Sequence, residues 1–491
     1  MTEQETFAAY SQKQFPQGIV ITADGHLFTV SGLKGVLLNE KILLENEAIG
    51  FVFSIGQESS QIVLIKGDPP TPDIKAVRTG ERVMFPASEH LLGKIVSPLG
   101  DDYISSYRMR TPEPLEVEIK ASGISRRAKI KTQCLTGSLL VDTLLPLGMG
   151  QRELLLGDRK TGKTQFAKDT LITQARLGTI CIYVSIGKPL SSVKAMAQTL
   201  REHECLEKVV IIASSPEDPA GLILLTPFSG MRLAEYFRDM GQDTLIVLDD
   251  VTTHARAYRQ LSLLARRFPG RNAYPGDIFY LHARLLERAG NFKITDDKTV
   301  SITCLPIAET EQGDLTGYIQ TNLMSMTDGH LYFDEERFLE GQRPAIHPFL
   351  SVTRVGRQTR TPLMRETIST VTSFLSQAER LLQISHFSQE LSADAKDTLH
   401  KADKLSLLFN LPQLGNYESW FQFFMIALVW DGYWITSEND TLLSDLHRLH
   451  ALTSKHSTVR EKVGKVELSS SLFEAGQLAR KTANDIFADN P

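Results

Sequence analysis

The sequence predicts a multidomain chain made of a small β-rich domain, an α/β domain with a mostly parallel sheet, and a C-terminal α-helical domain. Three observations predict this order. Short β-favouring pieces recur between about Gln17 and Ala87, with Gly and Asp turns between them. Farther on, apolar strands alternate with helical stretches, and one strand runs into Gly157 to Thr164, a complete G-x-x-x-x-G-K-[ST] pattern. After about Gly356 the strand pattern stops. At 491 residues the chain exceeds what one core usually supports and suggests roughly three domains of ~100–200 residues each. The expected boundaries are 1–16 for a short extension, 17–87 for the β domain, 88–357 for the nucleotide domain and 358–491 for the helical domain.

The elements follow in order. Met1 to Thr6 is acidic and polar, without the basic and apolar regions of a signal peptide, so a chain that is not secreted is expected. Gly18–Thr22, His26–Val30, Gly50–Ser54 and Gln61–Ile65 read as strands of a small antiparallel barrel or sandwich. A connector with Pro98, Pro112 and Pro114 leads to the strands Leu154–Leu156, Cys181–Ile186, Val209–Ala213, Leu245–Leu248 and Ile302–Leu305, an alternation that specifies a largely parallel sheet covered by helices. Met364–Ile384 and Ser419–Leu428 read as helices. The apolar stretch Trp420–Trp430 spans 11 residues and contains Gln422, well short of the ~20 residues needed to cross a bilayer. It is expected to be helical core.

Composition excludes several classes. With 53 basic and 58 acidic residues, the net charge of −5 does not call for nucleic acid. The clusters Arg126–Lys131 and Arg266–Arg271 lack the aromatic interleaving of a single-strand groove and read as solvated faces or subunit contacts. Cys134, Cys181, Cys205 and Cys304 form no C-x-x-C pair, which argues against a disulfide framework or zinc site. His254, His282 and His347 have no metal-ligand spacing, so packing or surface roles are expected.

Chemistry concentrates at the loop Gly157, Asp158, Arg159, Lys160, Thr161, Gly162, Lys163 and Thr164, with Gln165 next to it. The run Leu154–Leu156 precedes it as a buried strand, and Ala167, Leu171, Ile172 and Ala175 give the following helix one apolar face. A chance Gly-rich turn would lack both flanks. Glycines let successive N–H groups point at phosphate oxygens, and the helix N-terminus adds positive potential. Lys163 is expected to bridge the outer phosphates and Thr164 to offer its hydroxyl to Mg²⁺. Downstream, the apolar strand from Thr244 ends in Asp249 and Asp250. An acidic turn is common by itself, but paired with a phosphate loop Asp249 reads as the second holder of Mg²⁺, through water. Hydrolysis also needs a group that orients or activates water. After the strand Cys181–Ile186 stands Lys188, an ammonium that cannot accept a proton from water. Glu309 and Glu311, at another strand end, remain candidates. The reading is a site that binds ATP or ADP and turns it over poorly.

Beyond the loop, the blocks Ala257–Leu264, Pro269–Asp277, Phe279–Arg288, Gly313–Leu315, Thr321–Asn322, Thr327–Gly329 and Arg343–Ile346 occur in that order. With them the chain resembles the α subunits of F-type ATP synthases over residues 17–480. The resemblance implies an N-terminal β-barrel, a RecA-like central domain and a C-terminal helical domain. It implies an alternating ring with catalytic β-type subunits, around a rotating central stalk, held by a peripheral stalk and joined to a membrane sector that moves H⁺ or Na⁺. The chain itself is expected to lie peripherally at the cytoplasmic face of the membrane and to hold Mg-ATP without turnover. Lys188 stands where the catalytic subunit carries glutamate and typical α subunits carry glutamine.

The resemblance also implies that Arg354 reaches into the neighbouring β site and stabilises charge on the transferring γ-phosphoryl group, with Ser351 helping to set its position. Arg343, Pro344 and Gln413 match the adenine pocket. Leu411 replaces a second glutamine there, and Lys160 replaces a glutamine within the phosphate loop. Only about 16 residues precede the barrel, so a different engagement of the peripheral stalk and a divergent branch of the family are expected. The alternatives are a self-sufficient hexameric ATPase for protein export or RNA translocation, and a nucleotide-stabilised scaffold.

Overall fold

The computed structural model describes residues 6–13, 15–104, 111, 113–295, 298–385, 392–415 and 417–489. By their internal contacts these form two compact units. The first comprises Met1–Lys129, Gly150–Leu156 and Gln174–Thr327. The second comprises Ile130–Met149, Gly157–Thr173 and Asp328–Pro491.

The first unit begins with a short helix, Phe7–Gln12, capped by the Thr6 hydroxyl. A closed barrel follows, built from β1 (Gln17–Asp24), β2 (Leu27–Ser31), β3 (Glu40–Leu44), β4 (Ile49–Ile55), β5 (Ser59–Lys66) and β6 (Lys75–Arg82), in spatial order β1-β2-β5-β4-β3-β6. Closure removes the exposed edges a sandwich would retain. Strands β3 and β6 were not expected, and charge explains why. β6 buries only Ala76, Val77 and Thr79, while β3 opens on Glu40, 1% exposed and held by Arg78 at 2.9 Å. A buried ion pair at a strand end breaks the apolar alternation that marks a strand.

One face of the barrel strands fills the interior with Val20, Phe28, Val30, Ile42, Val52 and Ile62. The other face, with Phe51, Val63 and Ile65, joins the main core against the helix Ala220–Asp239. At Gly221 this helix comes so close that a Cβ would lie 2.4 Å from the Leu64 carbonyl oxygen.

The main sheet of this unit orders its strands Glu153–Gly157, Thr299–Glu309, Thr244–Asp249, Ile180–Ser185, Val209–Ala213 and Ile95–Val96. Four of the pairings run parallel, with Ile180 opposite Thr244 and Ser185 opposite Asp249. The strands are apolar along their whole length because helices cover both faces, and Leu245, Ile246, Val247 and Leu248 are all fully buried. An antiparallel strand, Gly290–Lys293, pairs with Thr299–Ile302 and was not expected. The registered strands bring Ser185 and Asp249 to one edge of the sheet, the carboxyl edge, where ligands of such folds bind.

The second unit is mainly helical. Pro362–Ser385, Ala393–Phe409, Ser419–Trp430, Asn439–Lys455, Ser457–Gly464 and Leu472–Asp489 follow one another, with two short antiparallel pairs, Gln133–Cys134 with Leu147–Gly148 and Gly329–Phe333 with Val352–Thr353. The stretch Trp420–Trp430 is the core helix expected, with Phe421 to Val429 buried. Gly476 lets Leu472–Asp489 approach it, since a Cβ there would lie 3.3 Å from the Ala427 carbonyl. Among the described residues no helix is long and apolar enough to cross a membrane.

Candidate nucleotide-binding site

In the second unit the phosphate loop runs into the helix Lys163–Arg176. Gly157 has φ +156° and Gly162 φ +95°, and Lys160 takes a left-handed φ of +63° between them. A Cβ on Gly157 would meet the Phe333 carbonyl oxygen at 2.3 Å, so glycine is required for space as well as conformation. Lys163 is buried and donates to the Gly157 carbonyl at 2.8 Å and the Asp158 carbonyl at 2.5 Å. Thr161 is tied to the Asp158 carbonyl at 2.8 Å. Arg159, Lys160, Thr164 and Gln165 are exposed, and Gln165 bonds Asp169 one helical turn on. The curled backbone, helix N-terminus and cationic side chains form an anion cradle.

Phe338, which the sequence gave no reason to single out, packs against this loop. A Cβ on Gly162 would lie 3.7 Å from its ring, and the Arg343 guanidinium stacks on that ring at 3.6 Å. Arg343 also donates to the Phe338 carbonyl at 2.8 Å, and its backbone N–H bonds the Asn410 side chain. Pro344 follows directly and is partly exposed. The structure therefore brings Arg343 and the loop together through an aromatic ring.

Gln413 is buried on the first turns of the loop helix. Its side-chain amide donates to the Thr136 carbonyl at 2.7 Å, Thr170 Oγ1 at 3.1 Å and the Phe166 carbonyl at 3.3 Å. Those donors are spent on protein acceptors, so Gln413 locks the helix in place and keeps only its carbonyl oxygen for a base. Leu411 is buried nearby in sequence. Beneath them Asp142, fully buried, accepts from the Thr136 N–H at 2.7 Å, the Thr136 hydroxyl at 2.8 Å and the Gly137 N–H at 2.9 Å. Burial nevertheless raises its pKa.

The Arg354 segment lies in the same unit. Thr353 Oγ1 donates to the Pro146 carbonyl at 2.9 Å, and the Arg354 N–H donates to the Asp328 carbonyl at 3.1 Å. A Cβ on Gly356 would fall 1.5 Å from the Pro146 carbonyl oxygen. Ser351 is buried, donates to the His347 carbonyl at 2.7 Å and accepts the Tyr332 N–H at 2.9 Å. The backbone is thus pinned on both sides of Arg354. Its side chain is exposed, and among the described residues the guanidinium makes no hydrogen bond or ion pair. Burial lowers the pKa of nearby His330, and the positive charge of Arg354 adds to that.

The carboxylates of the first unit form a different arrangement. Asp249 is 1% exposed, with Oδ2 accepting the Tyr183 hydroxyl at 2.7 Å and Oδ1 paired with the Lys188 ammonium. Gly187, with φ +61°, turns the chain there, and its N–H and that of Lys188 bond the Ser214 hydroxyl and carbonyl, each at 3.1 Å. Burial first, and then the Asp249 charge, pushes the Tyr183 pKa well above its ordinary value, so it remains a donor. Asp250 caps the helix Val251–Leu264 through the Thr253 N–H at 2.6 Å. Burial raises its pKa.

Of the two expected Mg²⁺ ligands, Thr164 lies in the second unit and Asp249 in the first. Thr164 offers an exposed hydroxyl at the helix start. Asp249, the second expected ligand, has both carboxylate oxygens engaged by an ammonium and a phenol. Glu309 is paired with Arg256 at 3.4 Å, and together with Glu311, Arg259 and Tyr274 it lines a cavity of about 350 Å³.

Other charged groups are internal braces. Arg127, in a cluster expected to be a solvated face or a subunit contact, donates to the Ala289 carbonyl at 3.1 Å and lies over Phe292. Arg267 bonds Tyr258 at 3.0 Å and covers Phe53. Both arginines pack locally, which a charge count could not reveal. His254 and His282 are buried side by side, with 3.5 Å between ring nitrogens. Though far apart in sequence, they form one packing pair.

The nucleotide-binding domain model of the ATP synthase alpha/beta family matches residues 137–353. The chain is 37% identical over 418 residues to the ATP synthase subunit alpha of Buchnera aphidicola subsp. Acyrthosiphon pisum, covering 83% of this chain and 81% of that one. It is 39% identical over 398 residues to the namesake subunit of Lawsonia intracellularis, covering 81% and 78%, and 38% identical over 398 residues to that of Clostridium kluyveri, covering 81% and 79%. The barrel, the phosphate-loop sheet and the helical segment stand in the order this family implies, and the chain belongs to the ATP synthase alpha/beta family, among the α subunits.

Proposed function

We propose that this chain is the nucleotide-holding, non-catalytic subunit of a rotary ATP synthase, and that it lends Arg354 to a neighbouring β-type catalytic site. The single observation that carries the reading is the contrast between an exposed arginine on a pinned backbone and an Asp249 already neutralised by Lys188. Catalysis of phosphoryl transfer depends on positioned charge. A guanidinium whose backbone is fixed on both sides, with no internal partner among the described residues, suits charge stabilisation across a boundary. The subunit's own loop binds ATP or ADP through Gly157–Thr164, with Arg343, Pro344 and the carbonyl of Gln413 toward the base.

In this reading the chain alternates with three β-type subunits around a central stalk and meets a peripheral stalk. It couples ATP synthesis or hydrolysis to H⁺ or Na⁺ movement through a separate membrane sector, from a peripheral position at the cytoplasmic face. Steady-state ATP hydrolysis tests it. The purified chain alone should bind ATP with negligible turnover, and its complex with a β-type partner should turn over. Rapid turnover by the chain alone, abolished by Glu309→Gln or Glu311→Gln, would instead establish a self-sufficient ATPase.

A further inference from the structure

We propose that the second unit carries a binding site for an organic cation with an apolar body, in a cavity of about 500 Å³ separate from the phosphate loop. Its walls come from the segment 334–349, the helices Pro362–Ser385 and Ala393–Phe409, and Leu140, all within that unit. None of Gly157–Gln165, Phe338, Arg343 and Gln413 lines it. The turn from Gln342 to Pro344 divides the two places: Arg343 goes to the Phe338 ring beside the loop, while Gln342 and Pro344 line the cavity. The volume lies within the ~300–1,000 Å³ usual for small-molecule sites.

The lining disfavours an anion. Five carboxylates, Asp334, Glu336, Glu340, Glu379 and Asp403, stand against one guanidinium, Arg337. That guanidinium is engaged by Glu379 at 2.8 Å and by Gln342 at 3.2 Å. Burial lowers the pKa of His347, which favours a neutral ring in the same wall. Asp334 is also committed, capping the helix Glu335–Leu339 through the N–H groups of Glu336 and Arg337. Glu336, Glu340 and Asp403 stay exposed and, among the described residues, form no ion pair. A cleft lined by one sign of charge concentrates the opposite one. Among the described residues no three carboxylates, imidazoles or thiols are grouped to hold a metal ion, so this charge is spread out and suits a larger cation. Leu140, Ile346, Ala378 and Phe409 are buried and give the cavity an apolar wall. A ligand whose hydrocarbon part rests there, with its ammonium at the exposed carboxylates, leaves water only where that is favourable.

Fluorescence titration of the full chain with dansylcadaverine, a naphthalene carrying an aminopentyl ammonium, tests this. The probe should bind saturably, and dansylamide, which keeps the naphthalene but lacks the ammonium, should bind about tenfold or more weakly. In E340Q/D403N, dansylcadaverine should weaken by about tenfold while dansylamide stays unchanged. Saturating ATP should leave the probe bound. Equal affinity for the two probes in the wild type overturns the proposal, whether or not the variant folds. So does the absence of saturable binding, or an E340Q/D403N affinity equal to that of the wild type. Displacement by ATP overturns it too, since the probe would then occupy the nucleotide site.

Discussion

Two charged regions at strand ends are built in opposite ways. At the edge formed by Ser185 and Asp249, each of the ionic and polar groups Asp249, Lys188, Tyr183 and Asp250 has a partner within the chain. At the end of Val352–Thr353, the backbone is fastened to Pro146, Asp328 and His347, while the Arg354 guanidinium is presented to solvent. A charge satisfied inside its own chain contributes to structure. A charge whose scaffold is fixed but which has no local partner is available to a neighbour. In the proposed reading, the same sequence carries a quiet site of its own and a prepared group for another.

The sharpest break in that comparison is to remove an internally satisfied arginine. Arg288 and Glu235 are both 1% exposed, with contacts of 2.7 and 2.9 Å, and Arg288 also donates to the Val117 carbonyl. Arg288→Met should destabilise the fold by about 3–5 kcal/mol, because it removes a two-point ion pair and leaves the buried Glu235 carboxylate with Arg232 alone, at 3.0 Å. Urea unfolding followed by circular dichroism measures this, and adding Glu235→Leu should restore much of the loss. Arg354→Ala, by contrast, should leave the unfolding midpoint in place.

Next is the scaffold of Arg354. Gly356→Ala forces the backbone away from the Pro146 carbonyl, so the guanidinium moves without being altered. Hydrolysis by the assembled complex should fall about 10²-fold, the usual consequence of misplacing a catalytic group by roughly 1 Å. Unchanged rates would mean that the pinned backbone is irrelevant to Arg354.

A third test uses the buried histidines. Burial lowers the pKa of His254 to about 4, and burial with the neighbouring His254 lowers that of His282 to about 3, against an ordinary 6.5. The folded state keeps both neutral, whereas the unfolded chain takes up protons below pH 6.5. Their contribution is therefore intact above about pH 6.5 and is lost as pH falls toward 4, with roughly 2 kcal/mol per histidine gone by pH 5. Urea midpoints at pH 7.5 and pH 5 read this, and His282→Phe should flatten the difference. The smallest effect belongs to Tyr183→Phe, which removes one hydrogen bond to Asp249 while Lys188 remains. It should cost about 1 kcal/mol in thermal unfolding.

Much of this was legible in advance where a pattern repeats or a motif is contiguous. The five apolar strands of the sheet, the phosphate loop with its helix and the core helix around Trp420 all follow from periodicity and length. What escaped depends on pairing across sequence distance. β3 was hidden by Glu40, whose partner Arg78 lies 38 residues on, and Gly290–Lys293 is too short for a pattern. Within the site, the identities of Lys188 and Asp249 were visible, but their union was not, because 61 residues separate them. Phe338 gave no signal, since an aromatic inside a short charged helix is ordinary until Gly162 and Arg343 are found on its two sides. Gln413 was noticed for its resemblance, while its commitment to Thr136 and Thr170 required coordinates.

The central claim is that the chemistry this chain promotes takes place in its partner's site. Single-turnover ATP hydrolysis by the reconstituted complex, carrying either Arg354→Ala or Lys163→Ala, tests it most directly. The account predicts a loss on the order of 10³ for Arg354→Ala and a change of less than about threefold for Lys163→Ala. A complex silenced by Lys163→Ala but indifferent to Arg354→Ala would contradict it.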